Sequence, residues 1–344
     1  MFLLNHGWYM AAWSDEVADG LLQRWIAGQP VVFYRTAAGA PVALSDRCAH
    51  RRAPLSAGAR IGDEIQCGYH GFRYDCTGTC TQVPGQRNIP GSTRVKAYPL
   101  LERYGFVWIW MGEAVRADPA LLPDLPWFED PAWAHAGIPR TSLAAHYSLL
   151  IDNLLDLAHE TYVHPTNIGN AAVAETPVTA RLEGVVVTAS RHMDGVDVAP
   201  FYHEVCGIDS PVDRWQDFEF RPPGTFLLHS RNAPAGSPAD DPGFQLKVLW
   251  GITPESDTTT HVFLGTARNF AQHRQEISAG LSTSLAAIAA EDVAMLEQQQ
   301  IMIATDPLGR EVSVRSDAAG LHGRRLMKEL LAQEAAGTEA DQLV

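Results

Sequence analysis

Two short segments constrain this chain more than any other feature: Cys48-Ala49-His50 and, after sixteen intervening residues, Cys67-Gly68-Tyr69-His70. Each supplies one thiolate and one imidazole, and Pro54, Gly68 and Gly71 nearby suit tight loops. Two like-shaped hairpin tips can therefore close on one metal centre. A structural zinc ion accepts two Cys and two His, but finger-type sites pair Cys with Cys and His with His. The mixed tips suit a [2Fe–2S] cluster better, with both Cys on one iron and both His on the other. Imidazole ligation raises the potential of such a cluster above that of all-Cys clusters. Cys76 and Cys80 read as flanking a turn near Gly78, and Cys206 as packing.

Composition agrees with a metalloprotein built of two parts. The 344 residues, 46% of them hydrophobic, are enough for two domains with separate cores. A formal net charge of −14 argues against a broad nucleic-acid or anionic-membrane surface. Five Cys do not make a disulfide scaffold, whereas thirteen His point to metal. The opening segment has no basic leader or cleavage pattern, and no run of about 18 apolar residues suggests a membrane span. A soluble cytoplasmic protein is expected.

The first third reads as β, with strands over 31–35, 41–45 and 105–110. The proline-rich stretch 113–140 reads as a surface connector. A helix is predicted over 143–164, then strands over 185–188, 218–220, 226–228, 246–250 and 261–264. A mobile-looking loop covers 231–243, a helix about 272–302, and a charged helical tail ends the chain. No nucleotide-binding glycine loop is present. The second part is thus α+β: helix, antiparallel sheet, helix.

A second constellation lies on the two helices. Asn153, Asp156 and His159 recur at i, i+3 and i+6 and share a broad face, with Glu160 and Tyr162 off it. His164 would fall about 140° from His159 on a continuous helix. Pro165 ends the helix and lets His164 turn back, so both imidazoles can reach one ion. Two His and a carboxylate form the facial triad of non-haem iron, with open positions left over. On the later helix, Asp292 falls within the apolar stripe Leu281, Leu285, Ile288, Met295 and Leu296. A buried carboxylate is costly unless paired or metal-bound. Asp292 is preferred as third ligand over Glu291 or a capping role, and Glu291 and Glu297 are expected to be solvated. His146, His192 and His273 read as ordinary structural residues.

Taken together, these motifs resemble the terminal oxygenase component of Rieske non-haem iron oxygenases over nearly the whole chain. Asn5-His6-Gly7-Trp8-Tyr9, Val83-Pro84-Gly85-Gln86, Glu102-Arg103-Tyr104-Gly105-Phe106 and Glu160-Thr161-Tyr162-Val163-His164 are similar to the sub-branch containing vanillate O-demethylase, toluenesulfonate methyl-monooxygenase and dicamba O-demethylase. The resemblance implies an N-terminal all-β Rieske [2Fe–2S] domain, 1–115, and a C-terminal helix-grip (START-like) catalytic domain with an antiparallel sheet, 116–344. It places Cys48, His50, Cys67 and His70 on the cluster and His159, His164 and Asp292 on mononuclear Fe(II). Asp156 matches the acid that links the iron site to a cluster His of a neighbouring subunit, and Asn153 a polar residue close to the iron.

The same resemblance implies a head-to-tail homotrimer, dioxygen as co-substrate, and a separate flavin and iron–sulfur reductase that alone meets NAD(P)H. The expected reaction is O-demethylation of a small methoxylated aryl acid such as vanillate, releasing formaldehyde. Aryl methyl hydroxylation and ring dihydroxylation are alternatives, and a Rieske electron carrier is the non-enzymatic one. Leu228, Trp250 and Thr283 fall where dicamba-type enzymes carry substrate-contacting side chains. His203, His229, Arg231 and Asn232 are candidates to orient a carboxylate or phenol.

Overall fold

The computed structural model describes residues 3–238 and 240–341, with side chains described as far as 337. Residues 1–2 of the opening segment, Ala239 of the 231–243 loop and the final three residues lie outside it. The chain forms two compact units: residues up to 122 with Thr253–Asp257, and Pro123–Ile252 with the residues from Thr258 onward.

The first unit is all β. Its strands are β1 (Trp8–Trp13), β2 (Leu22–Ile26), β3 (Gln29–Arg35), β4 (Pro41–Ser45), β5 (Ala59–Ile61), β6 (Glu64–Gln66), β7 (Arg73–Tyr74), β8 (Cys80–Gln82), β9 (Leu100–Arg103) and β10 (Phe106–Trp110). They make three small sheets, ordered β1-β10-β9, β2-β3-β4 and β5-β6-β7-β8. The run Val31-Val32-Phe33-Tyr34 is apolar without alternation because β3 is buried on both faces. Val31 and Phe33 join a core with Tyr9, Val107 and Ile109. Val32 and Tyr34 join a second core with Leu44, Leu55 and Ile65. That second core also contains Cys48 and Cys67, so the packing that stabilises the unit fixes the roots of both tips.

The second unit holds β11 (Ala134–Leu143), β12 (Thr179–Glu183), β13 (Val186–Val196), β14 (Val212–Arg221), β15 (Thr225–Pro234), β16 (Phe244–Pro254) and β17 (Thr260–Arg268). Its helices are α1 (Tyr147–Leu155), α2 (Glu160–Val163), α3 (Ala171–Glu175), α4 (Pro200–Cys206), α5 (Gln275–Thr305) and α6 (Ala318–Asp341). One seven-stranded sheet runs β11-β17-β16-β15-β14-β13-β12. It is a meander whose first strand returns beside its last. α5 packs on β11 and α1, and α6 on α1.

Two sequence expectations need correction here. The stretch read as a connector over 113–140 contains most of β11. Pro139 sits where the β11–β17 register shifts between Ile138 and Thr141, an irregular position at the sheet edge that tolerates a missing N–H. The helix expected over 143–164 is two helices. Asp156 between them is extended, φ −100 and ψ 92, and its Oδ1 accepts the Ala158 N–H at 2.9 Å. Such a local side-chain bond competes with the helical ladder.

Among the described residues one helix, α5, is long and apolar enough by length and composition to cross a membrane. It carries Glu291 and Asp292 against His164.

Candidate active site

The two tips share one backbone design. The Cys48 N–H donates to the Ala53 carbonyl and the Arg52 N–H to the Cys48 carbonyl, both at 2.9 Å. The Cys67 N–H donates to the Phe72 carbonyl at 2.8 Å and the Gly71 N–H to the Cys67 carbonyl at 3.0 Å. In each loop the fourth residue after Cys is left-handed: Arg52 at φ 59 and Gly71 at φ 72. Both thiols are buried, and burial raises the pKa of Cys67. His50 and His70 are exposed, with ring centroids 4.5 Å apart. The Tyr74 hydroxyl lies 3.2 Å from Cys48 Sγ and accepts the Ala49 N–H at 3.1 Å. Burial, then Cys48, raises its pKa, so it remains a donor.

Among the described residues, only His159, His164 and Asp292 bring three metal-ligating atoms within 4.8 Å of one another. At the tips, the mixed pairing of thiolates and imidazoles suits a two-iron cluster. Cys76 is exposed beside the turn at Gly78, and Cys80 is buried in β8.

In the second unit, His159 caps the start of α2 and His164 its end. The break at Asp156 and the end of α2, rather than one helical face, swing the two imidazoles together, 5.3 Å between centroids. The His159 Nδ1 hydrogen-bonds to the Asp156 carbonyl, and the His164 Nδ1 to Glu291 Oε2 at 2.6 Å. Holding both Nδ1 atoms leaves both Nε2 atoms to face Asp292. Asp292 Oδ1 stands 3.1 Å from His164 Nε2 and 3.5 Å from His159 Nε2. Asn153 Nδ2 donates to the same Oδ1 at 3.2 Å.

Burial opposes a charge on the His164 ring, but Asp292 and Glu291 outweigh it and raise its pKa. An arrangement that favours a proton there also favours a cation between the rings. Two neutral-capable imidazoles and one carboxylate, oriented from behind, fit non-haem iron. Asp156 and Asn153 line an open cleft with His159.

Glu291 and Glu297 are not simply solvated. Glu291 is the orienting partner of His164 and also accepts from Asn167 Nδ2 at 3.2 Å. Glu297 Oε1 accepts the Ala144 N–H at 2.9 Å. Met295 is half exposed and departs from the expected apolar stripe.

Behind the triad lies an apolar cavity lined by Phe218, Leu228, Leu246, Val248, Trp250 and Ile288, with His159, His164 and Asp292 in its wall. Leu228 and Trp250, two of the three positions compared with dicamba-type enzymes, are among its lining residues. Thr283 is exposed, and its Oγ1 donates to the Ala279 carbonyl at 3.0 Å. On α5 it points away from the face carrying Leu281, Leu285, Ile288 and Asp292.

None of His203, His229, Arg231 and Asn232 lines the cavity. His203 pairs with Asp209 at 3.0 Å. His229 and Arg231 occupy the opposite face of β15 from Leu228, because side chains alternate along a strand. Asn232 is buried against Ser230.

Arg214, Gln216 and Glu160 do line the cavity. Their signal was legible: in Val212-Asp-Arg-Trp-Gln-Asp-Phe-Glu-Phe220, Arg214 and Gln216 share the inward register of Phe218 and Phe220.

A Rieske [2Fe–2S] domain model matches residues 7–99, and a vanillate O-demethylase oxygenase C-terminal domain model matches residues 143–333. A vanillate O-demethylase oxygenase subunit from a Pseudomonas species is 41% identical, covering 98% of this chain and 97% of the relative. A toluene-4-sulfonate monooxygenase system iron–sulfur subunit from Comamonas testosteroni is 35% identical, covering 98% and 99%. The crystal structure of dicamba monooxygenase bound to 3,6-dichlorosalicylic acid superposes with a TM-score of 0.91 at 30% identity, covering 97% of this chain and 99% of that one.

Proposed function

Because the chain belongs to the Rieske oxygenases with a vanillate O-demethylase oxygenase C-terminal domain, we propose that it O-demethylates a methoxylated aromatic acid. It is the oxygenase component of a multi-component system, and its cofactors are a Rieske [2Fe–2S] cluster and a mononuclear non-haem iron. Cys48, His50, Cys67 and His70 would hold the cluster, and His159, His164 and Asp292 the iron. When bound, these groups supply the reductive activation of dioxygen, with electrons drawn from NAD(P)H through a separate reductase.

The observation that carries this reading is the cavity itself. Its polar lining is the triad together with Glu160, Arg214 and Gln216, and most of the rest is aliphatic and aromatic. Phe218 and Trp250 offer ring faces to an aromatic substrate, and the aliphatic walls exclude bulk water from its methoxy group. His159 and His164, held at Nδ1, keep a fixed orientation while substrate enters. Overall, one oxygen atom enters a C–H bond of the O-methyl group and the other leaves as water. The resulting hemiacetal breaks its C–O bond to give a phenol and formaldehyde.

We place Asp156 as the hydrogen-bonding link to His50 or His70 of a second copy in a homotrimer. Its place beside Asn153 and His159 on an open cleft supports this. Asp156→Asn should keep total iron and cluster absorbance and slow turnover by on the order of 100-fold. Unchanged turnover removes that role.

The demethylation reading is tested with methoxybenzoates, methylbenzoates and phthalates and a surrogate reductase, following formaldehyde and oxygen. Stoichiometric formaldehyde from a methoxybenzoate is expected. Substrate-dependent oxygen uptake without formaldehyde would show methyl or ring hydroxylation instead.

A further inference from the structure

The cavity lining holds a buried guanidinium whose hydrogen-bonding capacity its neighbours do not fill. Arg214, 1% exposed, donates from Nη1 to the Ile168 carbonyl at 3.1 Å and lies 4.8 Å over the Tyr202 ring. Its Nε and Nη2 are buried without a hydrogen-bond acceptor. Glu160 Oε2 stands 3.7 Å from Nη2, beyond hydrogen-bond range, while both Glu160 oxygens accept from Gln216 Nε2 at 3.1 Å. That contact fixes the Gln216 amide, so its Oε1 faces away and is also without a donor.

Arg191, 3% exposed, donates to the Leu157 carbonyl at 2.7 Å, and its Nε and Nη1 have no acceptor. Asp156 lies within electrostatic reach of it. Glu160 also lies within electrostatic reach of Arg191, but it makes no hydrogen bond to either guanidinium. Unfilled donors on a buried cation are heavily penalised, and an anion in the cavity that Arg214 lines would fill those of Arg214.

We propose that Arg214 is the residue that anchors the carboxylate of an aromatic acid in this cavity and so selects acids over their neutral analogues. This rests on the reading of the cavity as the substrate site. A carboxylate offers the two acceptors that the open edge of the Arg214 fork, Nε and Nη2, is shaped to meet. Arg214 thereby fixes which end of the ring points away from the triad.

The test is calorimetric binding to the fully loaded oxygenase without reductase, so turnover plays no part. The ligands are 4-hydroxy-3-methoxybenzoate and its benzyl alcohol counterpart, identical except for the carboxylate. The wild type should prefer the acid by on the order of 100-fold. Arg214→Met should reduce that preference to within about threefold, and Arg214→Lys, which keeps the charge but loses the fork, should leave about tenfold.

Equal weakening of both ligands in Arg214→Met would make Arg214 merely structural. A retained preference, or a wild type without one, would overturn the anchor outright. If Arg214→Met does not fold, the wild-type ligand pair and Arg214→Lys decide. An Arg214-dependent preference without formaldehyde on turnover would refute demethylation and leave the anchor standing. Formaldehyde without Arg214 dependence would do the reverse.

Discussion

Replacing Glu291 tests how the iron site is held. Its carboxylate accepts from His164 Nδ1 at 2.6 Å, and its side chain is 37% exposed. Glu291→Gln keeps an acceptor of the same shape and removes the charge. A charge-assisted bond contributes about 1.5–3 kcal/mol and a neutral one about 0.5–1.5. After discounting for solvent screening, the loss is about 1 kcal/mol. At 1.36 kcal/mol per tenfold, that is about fivefold in iron affinity. Glu291→Leu removes the acceptor as well, leaving a buried imidazole N–H unmatched at a further 1–3 kcal/mol or so. The total of about 2–4 kcal/mol is about 30- to 900-fold, overlapping at its lower end the roughly 10–100-fold expected when the partner of a metal-bound His is lost.

The assay is iron retained against a graded chelator series, with the cluster absorbance as an internal control in the other unit. Total iron should fall from about three per chain toward two, Leu losing iron before Gln and both before wild type. Retention by both variants within twofold of wild type would refute the argument that Glu291 orients His164. Simultaneous loss of the cluster would show a general fold defect and refute it equally.

Three further outcomes follow from other contacts. Tyr74→Phe removes the hydroxyl 3.2 Å from Cys48 Sγ and should lower the cluster potential, measured by redox titration; an unchanged or raised potential would contradict its role as donor. Gly169→Ala should destabilise the α2 region by about 1–3 kcal/mol, because a Cβ there would lie 2.4 Å from the Glu160 carbonyl oxygen. Its melting temperature and iron content should both fall. The Arg35 hydrogen bonds hold the Glu102 carboxyl below its ordinary pKa of 4.5, so their stabilisation is complete above that value and fades as pH falls through the folded one. Glu102→Gln should therefore cost about 0.5–1 kcal/mol near pH 7 and close to nothing near pH 3; a gap that persists in acid would exclude the pair as its cause.

Much of the site was readable because metal ligands combine rare residue types with fixed spacing. Cys48, His50, Cys67 and His70 suit a two-iron site through their mixed pairing, and Asp292 stands out as a charge in an apolar register. Where the reading failed, a local bond or a sheet irregularity overrode periodicity. The Asp156 side chain breaks one expected helix into two, and Pro139 at a register shift conceals β11.

The sequence by itself supplied the candidate donor atoms, the two cofactors they suit and the division between a β unit and an α+β unit, since chemistry and side-chain period are properties of the chain. Only the tertiary structure decided which carboxylate faces which imidazole nitrogen, because Glu291 and Asp292 are neighbours in sequence and differ by their angle around α5. Only it brought Arg214 and Gln216 from β14, Glu160 from α2 and Tyr202 from α4 around one cavity. Hydrogen-bond deficits such as those of Arg214 exist only after burial removes water, and no spacing rule along a chain can register them.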